Sequence, residues 1–451
     1  MFLTADTICA LSTPPGIGGL AVLRLCGPKA WEIALKLSNL DSQAQVAPET
    51  VHFARLKYHG EIIDETIFTF FKGPRSFTGE DIVEITCHGG RYAAARILDI
   101  LLENGARMAR PGEFTERAFL NGKMDLAQAE AVAGLIHART HRAGRAAVRQ
   151  LEGGLSNKVH VMRSRLLDML SLLELELDFS EEDVIFLQPF ERDQSLAELQ
   201  KELHNLAATF QRGRLVREGI RLAIVGAPNA GKSTLLNAML REERAIVSPE
   251  PGTTRDVVEA RLELEGIELI LQDTAGIRQP AGAIEGEGIA RTHRTIQGAD
   301  LVLLIVDAHT PLWPEQDTLD LLSGKHILLV LNKIDLPRTQ PAQHPIGLDF
   351  IDVAHISAKS TEGVDDLLSS ALHHLIGEHS DNDEIIVAEA RHHDALLRAE
   401  ACLARTIGQK LAPTLIASDV RNAVEALGEI TGESVGEEIL DRIFSKFCIG
   451  K

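Results

Sequence analysis

The sequence of 451 residues has no uncharged run long enough to cross a bilayer and no basic stretch leading into an apolar core near Met1. Neither a membrane span nor a secretory leader is therefore expected. Cysteine is sparse. Cys9, Cys26, Cys87, Cys402 and Cys448 form no C-x-x-C pair, and this odd, scattered set suggests neither a disulfide framework nor a zinc site. Positive charge is in deficit, with 46 Lys and Arg against 65 Asp and Glu and a net charge of −19. That balance argues against a broad nucleic-acid-binding surface and confines any RNA contact to a local patch. These absences lead us to expect a soluble, reduced, cytoplasmic protein of about three domains, each large enough to bury its own core.

What the sequence does contain is a set of five short motifs in a fixed order. Gly226, Ala227, Pro228, Asn229, Ala230, Gly231, Lys232 and Ser233 follow the apolar run Arg221–Val225 and open a helical pattern, which is the context a P-loop requires. Backbone N–H groups of such a loop cradle phosphates. Lys232 would reach the β- and γ-phosphates and Ser233 would ligate Mg²⁺, with Asn229, Ala230, Gly231 and Thr234 completing the cradle. Thr254, within Gly252–Asp256, is placed to complete the Mg²⁺ shell, and Asp273 to hold the ion through water. Thr274, Ala275 and Gly276 follow, the last offering the γ-phosphate an N–H. Asn332, Lys333 and Asp335 come after the strand pattern Ile327–Leu331, and Ser357, Ala358 and Lys359 after the next. The Asp335 carboxylate can accept two N–H bonds from guanine, whereas adenine offers no matching donors. The order and spacing imply GTP hydrolysis. Ras-like enzymes place a water-orienting Gln where this chain has Ile277, so another group must position the water, and Arg278, Glu285 and Glu287 are the nearby polar candidates.

Periodicity divides the remainder. From Thr7 to about Arg110, β-like runs (Leu20–Leu25, Ile67–Phe71, Ile82–Thr86) alternate with helical stretches. Beyond Gly122 apolar residues recur at helical spacing, first Leu155, Val159, Met162, Leu166, Met169, Leu173 and Leu177, then Leu196, Leu199, Leu203, Leu206 and Phe210. Two long antiparallel helices are expected there. The P-loop unit closes on an amphipathic helix, Val364–Ile376, followed by a polar linker, 377–384. Ser434 and Glu437 match a capping box ahead of the last helix. The expected fold class is multidomain α/β plus α. It comprises an N-terminal α/β domain (1–120), a discontinuous helical domain (121–217 and 378–451) and a P-loop (Ras-like) GTPase domain (218–377) inserted between its halves.

Thr13–Gly19, Ser76–Asp81, His88–Gly90, Ala109–Leu120 and Phe447–Lys451, together with the GTPase motifs, resemble the MnmE (TrmE) family of bacterial tRNA-modification GTPases over essentially the whole chain. The resemblance implies a homodimer that works with the partner MnmG, which brings FAD and NADH. Together they install an aminomethyl or carboxymethylaminomethyl group on carbon 5 of the wobble uridine of certain tRNAs. It implies a tetrahydrofolate one-carbon donor, 5-formyl- or 5,10-methylene-tetrahydrofolate, bound by the N-terminal domain through Arg24, Glu84, Lys123 and Lys451. It further implies K⁺ activation, with Asn229, Ser248, Glu250 and Thr253 as ligands and contacts to the nucleotide, and Glu285 as the acid that orients water. Ala227 departs from the family's usual residue, and Arg24 sits among apolar neighbours. Cys448 is either a participant in the modification or a passive thiol; Lys451 as the last residue does not fit a prenylation signal. Arg139, Arg142, Arg145 and Arg149 share one helical face. We read this stripe as a solvated surface, the alternative being contact with tRNA phosphate or an acidic patch of MnmG. A ribosome-assembly or other RNA-binding GTPase switch without folate chemistry is the competing function.

Overall fold

A computed structural model describes residues 6–38, 40, 46–178, 188–240, 260–272, 293–337, 347–377, 385–409 and 411–451. Its helices are α1 (Ala30–Leu37), α2 (Arg91–Glu103), α3 (Glu113–Leu120), α4 (Leu126–His137), α5 (His141–Leu151), α6 (Gly154–Asp178) and α7 (Pro189–Ala208). These are followed by α8 (Phe210–Glu218), α9 (Lys232–Met239), α10 (Gln316–Asp320), α11 (Val364–Ile376), α12 (Ala390–Thr406), α13 (Pro413–Thr431) and α14 (Glu437–Phe444). Two compact units result: Met1–Ala133 with Gln150–Asp193 and Arg405–Lys451, and Gly134–Arg149 with Gln194–Ala404.

In the first unit the strands β1 (Ile8–Leu11), β2 (Leu20–Cys26), β3 (Thr50–Tyr58), β4 (Glu61–Phe71), β5 (Ile82–His88) and β6 (Arg107–Met108) form one sheet in the order β3-β4-β5-β2-β1-β6. All neighbours are antiparallel except β1 and β6. Because strand side chains alternate between faces, Leu23, Leu25, Phe68, Phe70, Val83 and Ile85 bury one face with Trp31 and Leu37 of α1 and Ile97 and Leu101 of α2. Arg24 and Glu84 are register partners on β2 and β5, so the same alternation turns both to the opposite face. Helix α6 buries Leu155, Val159, Met162, Leu166, Met169 and Leu173, the stripe expected from spacing, and packs along α13. Phe444 and Phe447 sink into a cluster with Leu126 and Ala129.

The second unit's sheet contains β7 (Ile220–Gly226), β8 (Ala260–Leu264), β9 (Ile267–Gln272), β10 (Leu301–Asp307), β11 (Ile327–Asn332) and β12 (Asp352–Ile356), in the order β12-β11-β10-β7-β9-β8. It is parallel except for β8 at the edge. Strands β10 and β11 are buried at every position, as expected where helices cover both faces. Leu235 and Leu236 of α9 and Leu367 and Leu368 of α11 fill one side, and Ile296, Leu319 and Leu322 the other.

Two local expectations need correction. The apolar repeat Leu196–Phe210 is not one helix: α7 ends at Ala208 and α8 starts at Phe210. At the break the Thr209 hydroxyl donates to Leu206 O and accepts from Val387 N–H, and Phe210 stacks on His393. Ser434 does not cap α14. The N-cap is Gly436 and Glu437 is the first helical residue, while the Ser434 hydroxyl donates to Glu425 O at 2.7 Å, so the box is out of register. Most of the expected linker, 378–384, lies outside the described residues.

Candidate functional site

The nucleotide-motif residues of the second unit gather at the carboxyl ends of β7, β11 and β12, where an open parallel sheet forms its ligand crevice. After Gly226 the backbone turns through left-handed Asn229 (φ 64°) and Gly231 (φ 103°), and α9 starts at Lys232. A Cβ on Gly231 would overlap the Asn332 amide, so this turn requires glycine. Gly231, the N-cap of α9, makes no side-chain cap bond, and the N–H groups at the start of such a helix suit an anion. Lys232 Nζ donates to the carbonyls of Gly226 at 2.7 Å and Ala227 at 2.9 Å. Burial lowers the pKa of this ammonium group.

Asn332 braces the site. Its Nδ2 donates to Ala230 O at 2.8 Å and its Oδ1 accepts from Ala358 N–H at 2.9 Å, tying the P-loop to the loop after β12. Ser357 Oγ donates to Asp335 Oδ1 at 2.7 Å and thereby orients that carboxylate. Burial separates two roles. Asn229, Ser233, Thr234, Asp335 and Lys359 are exposed, while Ala230, Asn332, Ser357 and Ala358 are buried. The amides at the start of α9, the lysine folded over the loop and the Ser233 hydroxyl make a donor set that fits a nucleotide phosphate with Mg²⁺. Ser248, Glu250, Thr253, Thr254, Asp273, Thr274, Ala275, Gly276 and Glu285 lie outside the described residues, as do Ile277, Arg278 and Glu287.

The first unit assembles a second polar cluster on the face of its sheet opposite the core. Arg24 Nε and Nη2 donate to Glu84 Oε1 at 3.0 and 2.7 Å. The guanidinium lies 5.4 Å from the Phe77 ring centre and 5.6 Å from that of Phe114. Its Nη1 reaches Gly450 O at 3.5 Å, which also accepts from Ser12 Oγ at 3.2 Å. The segment ending at Lys451 is thus seated beside Arg24. Cys448 is exposed, and its carbonyl accepts from Gly112 N–H at 3.3 Å. Lys123 Nζ donates to Pro74 O at 3.0 Å, on the loop that carries Phe77. Arg24, Glu84 and the Gly450–Lys451 end therefore come together, and Lys123 stands one loop away. An acid–base pair flanked by two rings suits a flat heterocycle with donor and acceptor edges, so these residues fit a pterin.

Beneath that loop runs an ionic network that the sequence reading missed. Arg117, 2 % exposed, donates to Glu80 Oε2 and Asp6 Oδ1, both at 2.8 Å. Glu113 accepts from Arg107 at 2.5 Å and from Arg110 N–H at 2.7 Å. Burial would raise the pKa of Glu113, but these bonds and the Arg107 and Arg110 charges hold it below the ordinary carboxylate value. Ser12, Phe77 and Phe114 were missed as well. The two rings lie inside motifs already singled out, and a ring beside an arginine was the available signal.

The arginine stripe is not one open face. Arg139 precedes α5 and lies 3.5 Å from Glu268, which Arg261 also meets at 3.1 Å. The stem of Arg142 lies against Gly266 at the β8–β9 turn. Both arginines are engaged by that hairpin within the second unit.

The family description "MnmE helical domain" matches residues 126–448, and "GTP-binding protein TrmE N-terminus" matches residues 7–123. The tRNA modification GTPase MnmE of Cytophaga hutchinsonii is 41% identical over 452 residues, covering 99% of this chain and 98% of that protein. Its counterpart from Chlorobium chlorochromatii is 42% identical, with the same coverage of both chains. A solved structure of Era with MgGDPNP and a 16S ribosomal RNA fragment is 26% identical over 43% of this chain and 68% of its own, with a TM-score of 0.26; a score that low adds no weight. Family descriptions spanning both units and about 40% identity along the full length establish that the chain belongs to the MnmE (TrmE) family of tRNA modification GTPases.

Proposed function

We propose that this chain is a K⁺-stimulated GTPase which, with MnmG, adds an aminomethyl or carboxymethylaminomethyl group to carbon 5 of the wobble uridine of certain tRNAs, drawing the carbon from a tetrahydrofolate. The observation that carries the folate part is the seating of Gly450 beside the Arg24–Glu84 pair. Glu84 would read the donor edge of the pterin, Arg24 would hold Glu84 in place, and Lys123 and Lys451 would take the carboxylates of the glutamate tail. Cys448, exposed next to that end, is a candidate participant in the modification. FAD and NADH enter only through MnmG, and the chain acts as a homodimer whose GTPase domain, 218–377, is inserted between the halves of the helical domain.

In the GTPase unit Asn229, exposed and held left-handed, would ligate K⁺ with Ser248, Glu250 and Thr253, while Ser233 and Thr254 would hold Mg²⁺. When bound, the monovalent ion supplies positive charge beside the β- and γ-phosphates. Lys232 and the α9 amides bind the phosphates, Asp335 selects guanine, and Glu285 orients the attacking water in place of the glutamine that Ile277 replaces. Two measurements test this reading. GTP turnover should be faster in K⁺ than in Na⁺ and fall in Glu285→Gln; equal rates in both salts, or a fully active variant, refute the hydrolytic part. Titration of the full chain with 5-formyl-tetrahydrofolate should saturate and weaken in Arg24→Ala; absence of binding refutes the folate part.

A further inference from the structure

The guanine-reading loop has a brace that lies outside its own motif. Asp307 ends β10 in register with Asn332 on β11, and its side chain is 12% exposed. Its Oδ2 accepts from Lys333 Nζ at 2.6 Å and from the Thr310 hydroxyl at 3.2 Å, and its Oδ1 accepts from His309 N–H at 2.9 Å. Ala308 N–H donates to Asn332 O at 2.8 Å, so the segment after β10 is laced to the start of the Asn332–Asp335 motif. Burial would raise the pKa of Asp307, but the Lys333 ammonium and the His309 and Thr310 amides bring it below the ordinary carboxylate value. The group is therefore anionic at neutral pH.

Lys333 needs such a brace. It lies at φ 67°, a left-handed conformation that a residue with a long side chain holds only where its surroundings fix it. On one side Asn332 is fixed to Ala230 and Ala358. The Lys333 side chain is fixed by Asp307. Two residues further on, Asp335 stands exposed with one oxygen held by Ser357.

We propose that Asp307 is a positioning residue for guanine recognition, holding the Lys333 ammonium and so setting the left-handed turn that aims Asp335 at the base. The proposal rests on Asn332–Asp335 being the guanine reader. Asp307 touches no nucleotide in this scheme, so its loss weakens binding more than turnover. The rival role is a cap on residues 308–310 alone.

The two roles separate in a double-mutant cycle on the full chain. Asp307→Asn keeps the shape and an oxygen for the His309 amide but removes the charge that holds Lys333. Lys333→Met keeps the apolar stem and removes the ammonium. Each single variant should raise the Kd for a fluorescent GDP by about tenfold, while in Asp307→Asn, which lies outside the nucleotide motif, kcat at saturating GTP changes by less than about threefold. The double variant should bind no more weakly than either single one. Additive losses, or wild-type affinity in Asp307→Asn, overturn the proposal. So does wild-type affinity in Lys333→Met, which decides the matter even if Asp307→Asn fails to fold. A wild-type chain that does not bind GDP would instead refute the nucleotide site itself.

Discussion

Gly450→Ala should uncouple the chain's final residues from the Arg24–Glu84 cluster without touching the GTPase unit. Gly450 is left-handed at φ 94°, and an added Cβ would lie 2.7 Å from Leu11 O and 2.8 Å from Ser12 Cα. Both neighbours are backbone atoms, so no rotamer change relieves the clash. Placing an L side chain in that region costs about 1–2 kcal/mol. Withdrawing the segment gives up the Ser12 Oγ and Arg24 Nη1 bonds to Gly450 O, worth about 1 kcal/mol each at most. Those bonds oppose withdrawal in wild type and variant alike, so the docking equilibrium shifts by the strain alone, about 1–2 kcal/mol or roughly five- to thirtyfold. Global stability should change little, because Phe444 and Phe447 keep their buried sites. Calorimetric titration with 5-formyl-tetrahydrofolate should show affinity weakened by up to that factor, with basal GTP hydrolysis within about twofold of wild type. Gly436→Ala is the control: nothing lies within 4 Å of its added Cβ and its φ is −75°. Wild-type folate affinity in Gly450→Ala would refute the idea that this end completes the pterin site.

Three further outcomes follow from other contacts. Gly231→Ala, forced into a left-handed turn against the Asn332 amide, should lose at least about a hundredfold in GDP affinity while far-UV circular dichroism stays native; retained affinity would contradict the described turn. Asn332→Ala strands the Ala230 carbonyl and the Ala358 amide and should cost the second unit about 2–4 kcal/mol in urea unfolding, read from Trp313, with the transition read from Trp31 in the first unit unmoved. Because the folded-state pKa of Glu113 is depressed below its ordinary 4.5, its contribution to stability is present above that pH and lost as pH falls through the lower folded value. Denaturation of wild type and Glu113→Gln should therefore differ at pH 7 and converge as pH falls through that lowered value; a constant difference would argue that the carboxylate does not stay ionised in the folded chain.

The second unit was legible because its signals are local. Strands β10 and β11 are unbroken apolar runs, and the phosphate loop carries its glycines where the turn needs them. The break at Thr209 was hidden, since apolar spacing runs across it and its cause is Val387, 178 residues away. Arg24 looked misplaced in an apolar run until register set it opposite Glu84 on the face away from the core. Its rings, Phe77 and Phe114, come from separate motifs joined only by folding. The motifs identified Asn332 as a nucleotide-site residue but not its bridging of two loops, because spacing does not encode which buried atoms are left for a side chain to satisfy.

The pairing of α6 with α13 has a consequence for synthesis on the ribosome. Helix α6 ends at Asp178 and α13 starts at Pro413, so the apolar stripe from Leu155 to Leu173 must wait, uncovered, while more than half the polypeptide is still being translated. The second unit, built mostly from Gln194–Ala404, emerges in that interval and can fold first. Nascent chains stalled between these helices should therefore be the species most in need of chaperone protection.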